Sequence, residues 1–128
     1  MKSLRQTYLI HASPEHIWQA LTSPKDIDGW GGGPAKMDDK AGTKFTLWGG
    51  EIYGKNIEVI KYKKLVQEWF SGKWPAPSIV TFTLMAKGDK TEVALVHTNI
   101  PDSEYKDIED GWKSYYMLPL KEYVVSRN

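Results

Sequence analysis

The stretch that decides the fold lies near the end of the chain and reads GWKSYYMLPLKEYV, from Gly111 to Val124. Its apolar residues recur at helical spacing along one side, whereas lysine, serine and glutamate occupy the other side. The predicted apolar stripe consists of Ile108, Trp112, Tyr115, Tyr116, Pro119, Leu120 and Tyr123. A stripe this aromatic needs a large apolar partner, so we expect one long helix that lies across a sheet. We also expect a kink at Pro119, because proline has no backbone N–H to donate.

The region before this helix is rich in strands and begins with two short helices. Ser13-Pro14 and Ser23-Pro24 each supply a capping hydroxyl followed by a proline suited to a first helical turn. The predicted strands are 3–11, 44–48, 51–60, 65–70, 78–86 and 91–99, and the predicted short helices are 14–21 and 24–28. The short connections are Gly49-Gly50, Lys63-Lys64 and Gly88-Asp89. Connections this short make neighbouring strands antiparallel, so the sequence predicts an α+β fold with a curved antiparallel sheet around a long C-terminal helix.

Alternation of apolar and polar residues along the strands predicts which side chains face the helix. The inward set on the last two strands comprises Val80, Phe82, Leu84, Val93, Leu95 and His97. Gln67 shares the parity of Leu65 and Trp69 and is therefore also expected to point inward. If the sheet curves away from the helix, the two enclose a cavity of the kind that binds small apolar ligands.

Length, charge and cysteine content exclude several classes of protein. The 128 residues fit one domain that spans 1–128. The 17 basic and 16 acidic residues give a net charge of +1, so no basic field is available for a nucleic acid partner. The chain has no cysteine, which excludes disulfides and thiolate metal sites. No secretory or membrane-spanning apolar run is visible, and we therefore predict a cytoplasmic protein.

No motif in the sequence predicts a metal site, a cofactor or a set of catalytic residues. The stretch from Gly49 to Asn56 nearly matches a phosphate-binding loop, but Asn56 stands where serine or threonine would hold magnesium, and a strand follows instead of a helix. His11, His16 and His97 lie on separate predicted elements, a spacing that does not suggest zinc ligands. His97 is either a hydrogen-bonded core histidine or a group that contacts a ligand and transfers protons. Gln67 has the same two interpretations, packed or ligand-orienting.

Four segments in the same order resemble the family named after the activator of the heat-shock protein 90 ATPase, C-terminal-domain type. They are Ser13–Thr22, Gly49–Gly54, Trp69 with Lys73-Trp74-Pro75, and Gly111-Trp112 with Tyr115-Tyr116. The wider superfamily includes START domains and the birch-pollen allergen and has the helix-grip fold. The resemblance implies a sheet that grips a helix over a cavity, no cofactor and no shared catalytic residues.

We predict that the chain binds a hydrophobic small molecule or lipid-like ligand between the sheet and the helix. The predicted ligand contacts are Phe45, Gln67, Trp69, Phe82, Leu95, His97, Trp112, Tyr115 and Tyr116. Trp74 lies in a proline-rich connection, where it either covers the cavity mouth, contacts a partner or anchors the loop. The alternative function is a co-chaperone-like interaction module that acts on a chaperone ATPase. A cyclase- or dehydratase-like enzyme ranks last, because it needs two inward ionisable groups and only His97 is a credible candidate.

Overall fold

The computed structural model describes residues 1–127 and shows one six-stranded antiparallel sheet with helices packed against it. The strands are β1 (Lys2–Ile10), β2 (Lys44–Leu47), β3 (Ile52–Ile60), β4 (Lys64–Ser71), β5 (Ser78–Lys87) and β6 (Lys90–Ile100). The helices are α1 (Pro14–Thr22), α2 (Pro24–Trp30), α3 (Tyr105–Gly111) and α4 (Leu118–Ser126), with a π-helical segment at Trp112–Met117 and 3₁₀ turns at Trp48–Gly50 and Asp102–Glu104. We call α3, the π-helical segment and α4 together the C-terminal helix.

The curved sheet has the strand order β1-β6-β5-β4-β3-β2. Consecutive strands from β2 to β6 form four hairpins, and β1 pairs with β6 at one edge of the sheet. Every pairing is antiparallel, as the short connections predict. The predicted α+β helix-grip fold is therefore confirmed.

Serine caps begin both short helices, as the sequence indicates. The Ser13 Oγ accepts a hydrogen bond from the His16 backbone N–H at 3.2 Å, and the Ser23 Oγ accepts one from Asp26 at 3.5 Å. Gly31 ends α2 in the left-handed conformation, with φ of 106°. Local capping chemistry therefore places both helices directly after β1.

The inward faces of β5 and β6 agree with the alternation in the sequence. The predicted inward set, from Val80 to Leu84 and from Val93 to His97, is buried at every second position. Gln67 on β4 is also fully buried. These faces meet the aromatic side chains of the C-terminal helix.

The C-terminal helix departs from a regular α-helix immediately before Pro119. Its hydrogen bonding widens to a π-helical segment at Trp112–Met117, and Pro119 follows at the start of α4. A π turn is a recognised cause of helix bending. The irregularity expected at the proline therefore lies one turn earlier.

Tyr115 corrects one detail of the predicted buried stripe. Its side chain is 70% exposed, whereas Tyr116 is 2% exposed and Met117 is fully buried. Tyr115 lies on the side of the helix that faces away from the sheet, together with Lys113 and Ser114, which are also exposed. The buried side of the helix consists of Trp112, Tyr116, Met117, Leu120 and Val124.

Within residues 1–127, no helix combines the length and the apolar character that crossing a bilayer requires.

Candidate functional site: an aromatic groove

Aromatic rings fill most of the space between the sheet and the C-terminal helix. Trp69 from β4 stacks on Trp112 with ring centroids 4.6 Å apart, and Trp112 lies 4.7 Å from Tyr116. Phe82 from β5 stacks on Tyr116 at 5.8 Å. Ring pairs at these separations add favourable contact energy to the burial of apolar area. The interior at this point is therefore a packed aromatic core.

A groove of about 400 Å³ remains at the edge of this core, and we call it the aromatic groove. One wall comes from the C-terminal helix, and the other comes from β4 and the turn between β2 and β3. The groove is lined by Trp48, Glu51, Ile52, Trp69, Asp107, Ile108, Gly111, Trp112, Tyr115 and Tyr116. Its size lies within the range of small-molecule sites, which is roughly 300 to 1,000 Å³.

Each tryptophan of the groove has its indole N–H fixed by a partner inside the protein. Trp48 donates to the Gly31 carbonyl at 2.9 Å, and Trp69 donates to the Gln67 Oε1 at 2.8 Å. Trp112 donates to the His97 Nδ1 at 2.9 Å. Because these donors are satisfied, the three rings are held in place, and none of them leaves an indole N–H free in the groove.

The Trp48 backbone has a conformation unusual for a residue with a side chain. Its φ of 48° lies in the left-handed region, and its backbone N–H donates to the Gly32 carbonyl at 2.8 Å. Such conformations persist only where neighbouring structure holds them. The contacts with Gly31 and Gly32 therefore fix this ring at the groove edge.

Gln67 has a packed, hydrogen-bonded role in the core. Its Nε2 donates to the Asn56 Oδ1 at 2.9 Å, and its Oε1 accepts from Trp69. Asn56 in turn donates to the Asp38 carbonyl at 3.0 Å. Of the two interpretations open at the sequence level, the structure shows the packed one.

His97 also has partners at both ring nitrogens. Its Nδ1 accepts from Trp112, and its Nε2 lies 2.7 Å from the Ser78 Oγ, which donates to the Trp69 carbonyl. An indole N–H can only donate, so Nδ1 is unprotonated and Nε2 carries the hydrogen. Burial lowers the pKa of His97 to about 4. His97 is therefore a neutral, hydrogen-bonded core histidine.

A family model described as "Activator of Hsp90 ATPase homolog 1-like protein" matches residues 11–125. The chain belongs to this family. The resemblance found in the sequence is therefore confirmed.

Two similar proteins are named as activators of this ATPase. The human "Activator of 90 kDa heat shock protein ATPase homolog 1" is 27% identical over 122 residues, which cover 94% of this chain and 36% of the human protein. The Dictyostelium discoideum homologue is 30% identical over 123 residues, which cover 94% of this chain and 32% of that protein. The family member described here thus spans about a third of the length of the curated relatives that it matches.

Solved structures show the same architecture. An HSP90 activator from Plasmodium falciparum superposes with a TM-score of 0.87 at 28% identity, with 95% of each chain covered. The Aha1 dimer from Colwellia psychrerythraea gives a TM-score of 0.81 at 22% identity, with 97% of this chain and 96% of that chain covered. The similarity to the Colwellia structure shows that the two proteins share a fold.

The structure brings four of the nine predicted ligand contacts of this activator-like domain to the aromatic groove. These four are Trp69, Trp112, Tyr115 and Tyr116. The other five do not line it: Phe45, Gln67, Phe82, Leu95 and His97 are buried in the core. Ligand contact by any of the nine stays a prediction.

Trp74 is not among the residues that line the groove, and its side chain is half-buried. Its indole N–H donates to the Glu104 carboxylate at 3.3 Å, which ties the proline-rich connection to the start of the C-terminal helix. The structure thus gives Trp74 an anchoring contact, and its role in contacting a partner stays a prediction.

Sequence reasoning missed six residues that line the groove. They are Trp48, Glu51, Ile52, Asp107, Ile108 and Gly111. Ile108 was visible as part of the apolar stripe, and Trp48 precedes the glycine pair that turns the chain. Nothing in the local sequence indicates that Glu51 and Asp107 meet at one groove, because 55 residues of chain separate them.

The described part of the chain, residues 1–127, contains no group of three or more histidine, aspartate or glutamate side chains able to hold a metal ion.

Proposed function

We propose that this family member binds a compact hydrophobic small molecule in the aromatic groove. The observation that supports this most is the groove of about 400 Å³ between rings whose indole donors already have partners. Apolar burial against preformed walls provides affinity without an ordering cost. The main contacts are then the accessible side chains of the lining, Trp48, Ile108 and Tyr115, since Trp69 and Trp112 are almost fully buried.

Binding rather than catalysis is the function that we propose. His97, the one catalytic candidate in the sequence, uses both ring nitrogens inside the core. It is fully buried and is absent from the groove lining. The related proteins are named as activators of an ATPase, which is a regulatory role.

Native mass spectrometry of the freshly purified chain, with a solvent extract of the same sample, is the first test. We expect a bound species at one copy per chain and its recovery in the extract. A second test is titration with phenylbutanol, followed by tryptophan fluorescence, since three tryptophans line the groove. We expect a saturable change in emission.

Gly111 offers a variant that blocks the groove without disturbing the fold. It is helical, with φ of −64° and ψ of −39°, and a Cβ built there has no neighbour within 4 Å. Gly111→Leu should therefore fill the groove and abolish the phenylbutanol response, and Gly111→Ala is the control that should retain it. An equal response in Gly111→Leu, or no saturable response in the unmodified protein, would contradict the proposal.

A second candidate is an action on a chaperone ATPase, and the names of the relatives favour it. The human and Dictyostelium proteins are named as activators of the 90 kDa heat shock protein ATPase, and the Plasmodium structure is described as an HSP90 activator. The test is the ATPase rate of a purified 90 kDa chaperone with increasing amounts of this chain. Stimulation that is lost in Trp74→Ala and kept in Tyr115→Ala would support a partner contact at Trp74, and an unchanged rate would contradict this candidate.

A further inference from the structure

We propose that two copies of this chain associate through the outer edge of β1, so that their two sheets join into one continuous antiparallel sheet. This inference goes beyond the proposed function, because the aromatic groove takes no part in it. It depends on three features: an unpaired strand edge, the side chains along that edge, and the charges beside it.

The two edges of the sheet differ in whether another part of the chain covers them. β2 is four residues long, and Lys36 pairs with its outer side through two backbone hydrogen bonds of 3.0 Å with Thr46. β1 is nine residues long, and within residues 1–127 its backbone pairs only with β6. The outer row of N–H and C=O groups on β1 is therefore available to another strand.

β1 lacks the features that protect most edge strands from pairing. Proteins protect such edges with proline, with charges that point toward the core, or with bulges along the strand. β1 contains no proline, and its inward side chains, Leu4, Gln6, Tyr8 and Ile10, are uncharged. Its register shift lies at the very start, between Lys2 and Leu4. Most of this edge is therefore suited to a partner strand.

The side chains of β1 are compatible with an antiparallel copy of the same strand. A two-fold axis perpendicular to the sheet makes the two β1 strands antiparallel. With this axis at Gln6, Leu4 lies opposite Tyr8 of the second copy, and Arg5 lies opposite Thr7 of the second copy. Inward residues then meet inward residues, and no two like charges lie opposite each other.

A polar groove of about 500 Å³ lies between β1 and the C-terminal helix, and we call it the edge groove. Its helix wall carries both signs of charge, since Glu109 and Asp110 are acidic and Lys113 is basic. Lys113 is exposed and forms no ion pair with any side chain of residues 1–127, although Glu109 precedes it by one helical turn. This lysine is therefore available to a carboxylate outside its own chain.

This arrangement of charges favours a second copy as the occupant of the edge. The same two-fold axis brings the helix wall of one copy toward the helix wall of the other. Lys113 of each copy can then approach Asp110 of the second copy, so the surface is electrostatically complementary to itself. A partner peptide with charges of one sign would meet a repulsive group in the groove.

Sedimentation velocity of the full chain across micromolar concentrations tests the association, and hydrogen–deuterium exchange locates it. We expect a reversible equilibrium between monomer and dimer. We also expect the backbone amides of β1 to exchange more slowly in concentrated than in dilute samples, because pairing protects them. A chain that stays monomeric throughout, or β1 exchange that does not change with concentration, would overturn the proposal.

Thr7→Lys tests the strand edge, and Thr7→Val is its matched control. Thr7 is exposed, so neither change should disturb the core, and far-UV circular dichroism checks this. Lysine at this position would lie opposite Arg5 of the second copy. We expect the dissociation constant to rise about five- to thirty-fold from two such like-charge pairs, and to stay the same in Thr7→Val. Dimerisation that is unaffected by Thr7→Lys would overturn the placement at β1.

Lys113→Glu and Asp110→Lys test the charges of the edge groove. Each variant alone should associate more weakly, because its helix wall then carries a single sign of charge at these two positions. An equimolar mixture should recover association, because each copy then meets the opposite charge on the other. Lys63→Glu is the control, since it makes the same charge change in the exposed turn between β3 and β4. A mixture that associates no better than either variant alone would overturn the pairing of the two helix walls.

Discussion

At the scale of single residues, His97 gives the fold a dependence on pH. The folded state holds its imidazole neutral because Nδ1 accepts from Trp112, and burial lowers its pKa from 6.5 to about 4. In the unfolded chain the imidazole takes up a proton below about pH 6.5. Between these values the unfolded state binds more protons, so stability rises with pH across this window.

We therefore predict that the free energy of unfolding is largest above about pH 6.5 and falls as the pH drops toward 4. The loss from this group should be roughly 3 kcal/mol, at about 1.4 kcal/mol per pKa unit. Urea denaturation at a series of pH values measures it. His97→Gln retains an acceptor and a donor but does not titrate, so this variant should show a flatter profile. Identical profiles for the two proteins would contradict the prediction.

The side chain of Trp112 should contribute strongly to the stability of the fold. Its side chain is 2% exposed, contacts Trp69, Phe82 and Tyr116, and donates to His97. Trp112→Ala leaves a cavity and an imidazole acceptor without its donor, so we expect a loss of about 3 to 5 kcal/mol. Chemical denaturation monitored by far-UV circular dichroism measures the change.

The control for this variant is Tyr115→Ala, an aromatic residue of the same π-helical segment that is 70% exposed. This variant should lose well under 1 kcal/mol of unfolding free energy, because an exposed side chain contributes little to stability. Equal losses for Trp112→Ala and Tyr115→Ala would show that the helix is rotated relative to the placement described above.

At the scale of the elements, the C-terminal helix contains a glycine that its conformation does not require. Gly111 has helical dihedrals, and a Cβ there meets nothing within 4 Å. Gly111→Ala should therefore stabilise the protein by about 0.5 to 1 kcal/mol, because alanine loses less backbone entropy on folding. Thermal denaturation of the two proteins compares them.

Gly54 in β3 is the contrasting control. A Cβ at Gly54 would lie 1.7 Å from the Glu68 carbonyl oxygen in β4, so Gly54→Ala must push the two strands apart. We expect this second variant to be destabilised. If both alanine variants shift stability in the same direction, local backbone geometry is not what distinguishes the two glycines.

At the scale of the whole molecule, the sheet and the C-terminal helix share one core. Trp69 and Phe82 on the sheet pack on Trp112 and Tyr116 of the helix. The Thr91 hydroxyl in β6 donates to the Ala12 carbonyl at 2.7 Å, which ties the sheet to the connection between β1 and α1. Neither layer keeps its apolar face buried without the other. Cooperative unfolding is the consequence of such an arrangement.

We predict a single two-state unfolding transition in urea. Far-UV circular dichroism reports on the helices and the sheet, whereas tryptophan fluorescence reports on the aromatic core, and the two curves should coincide. A helical signal that disappears at a lower urea concentration than the fluorescence change would contradict a shared core.

The sequence by itself determined the order of the elements, the antiparallel pairing and the inward faces of the strands. Serine caps at Ser13 and Ser23, short connections between strands and the alternation from Val80 to Leu84 act over a few residues. Short-range chemistry of this kind can be read without knowing where the rest of the chain lies. The family resemblance likewise depended on four short segments.

Only the tertiary structure decided how the interior is filled and where a groove remains. It selected Tyr116 over Tyr115 for the core and gave Gln67 and His97 their partners. It also brought Glu51 and Asp107 to one groove. These outcomes depend on distances between side chains from remote segments, and residue types alone do not fix such distances. Close packing does, because each ring must occupy space that its neighbours leave.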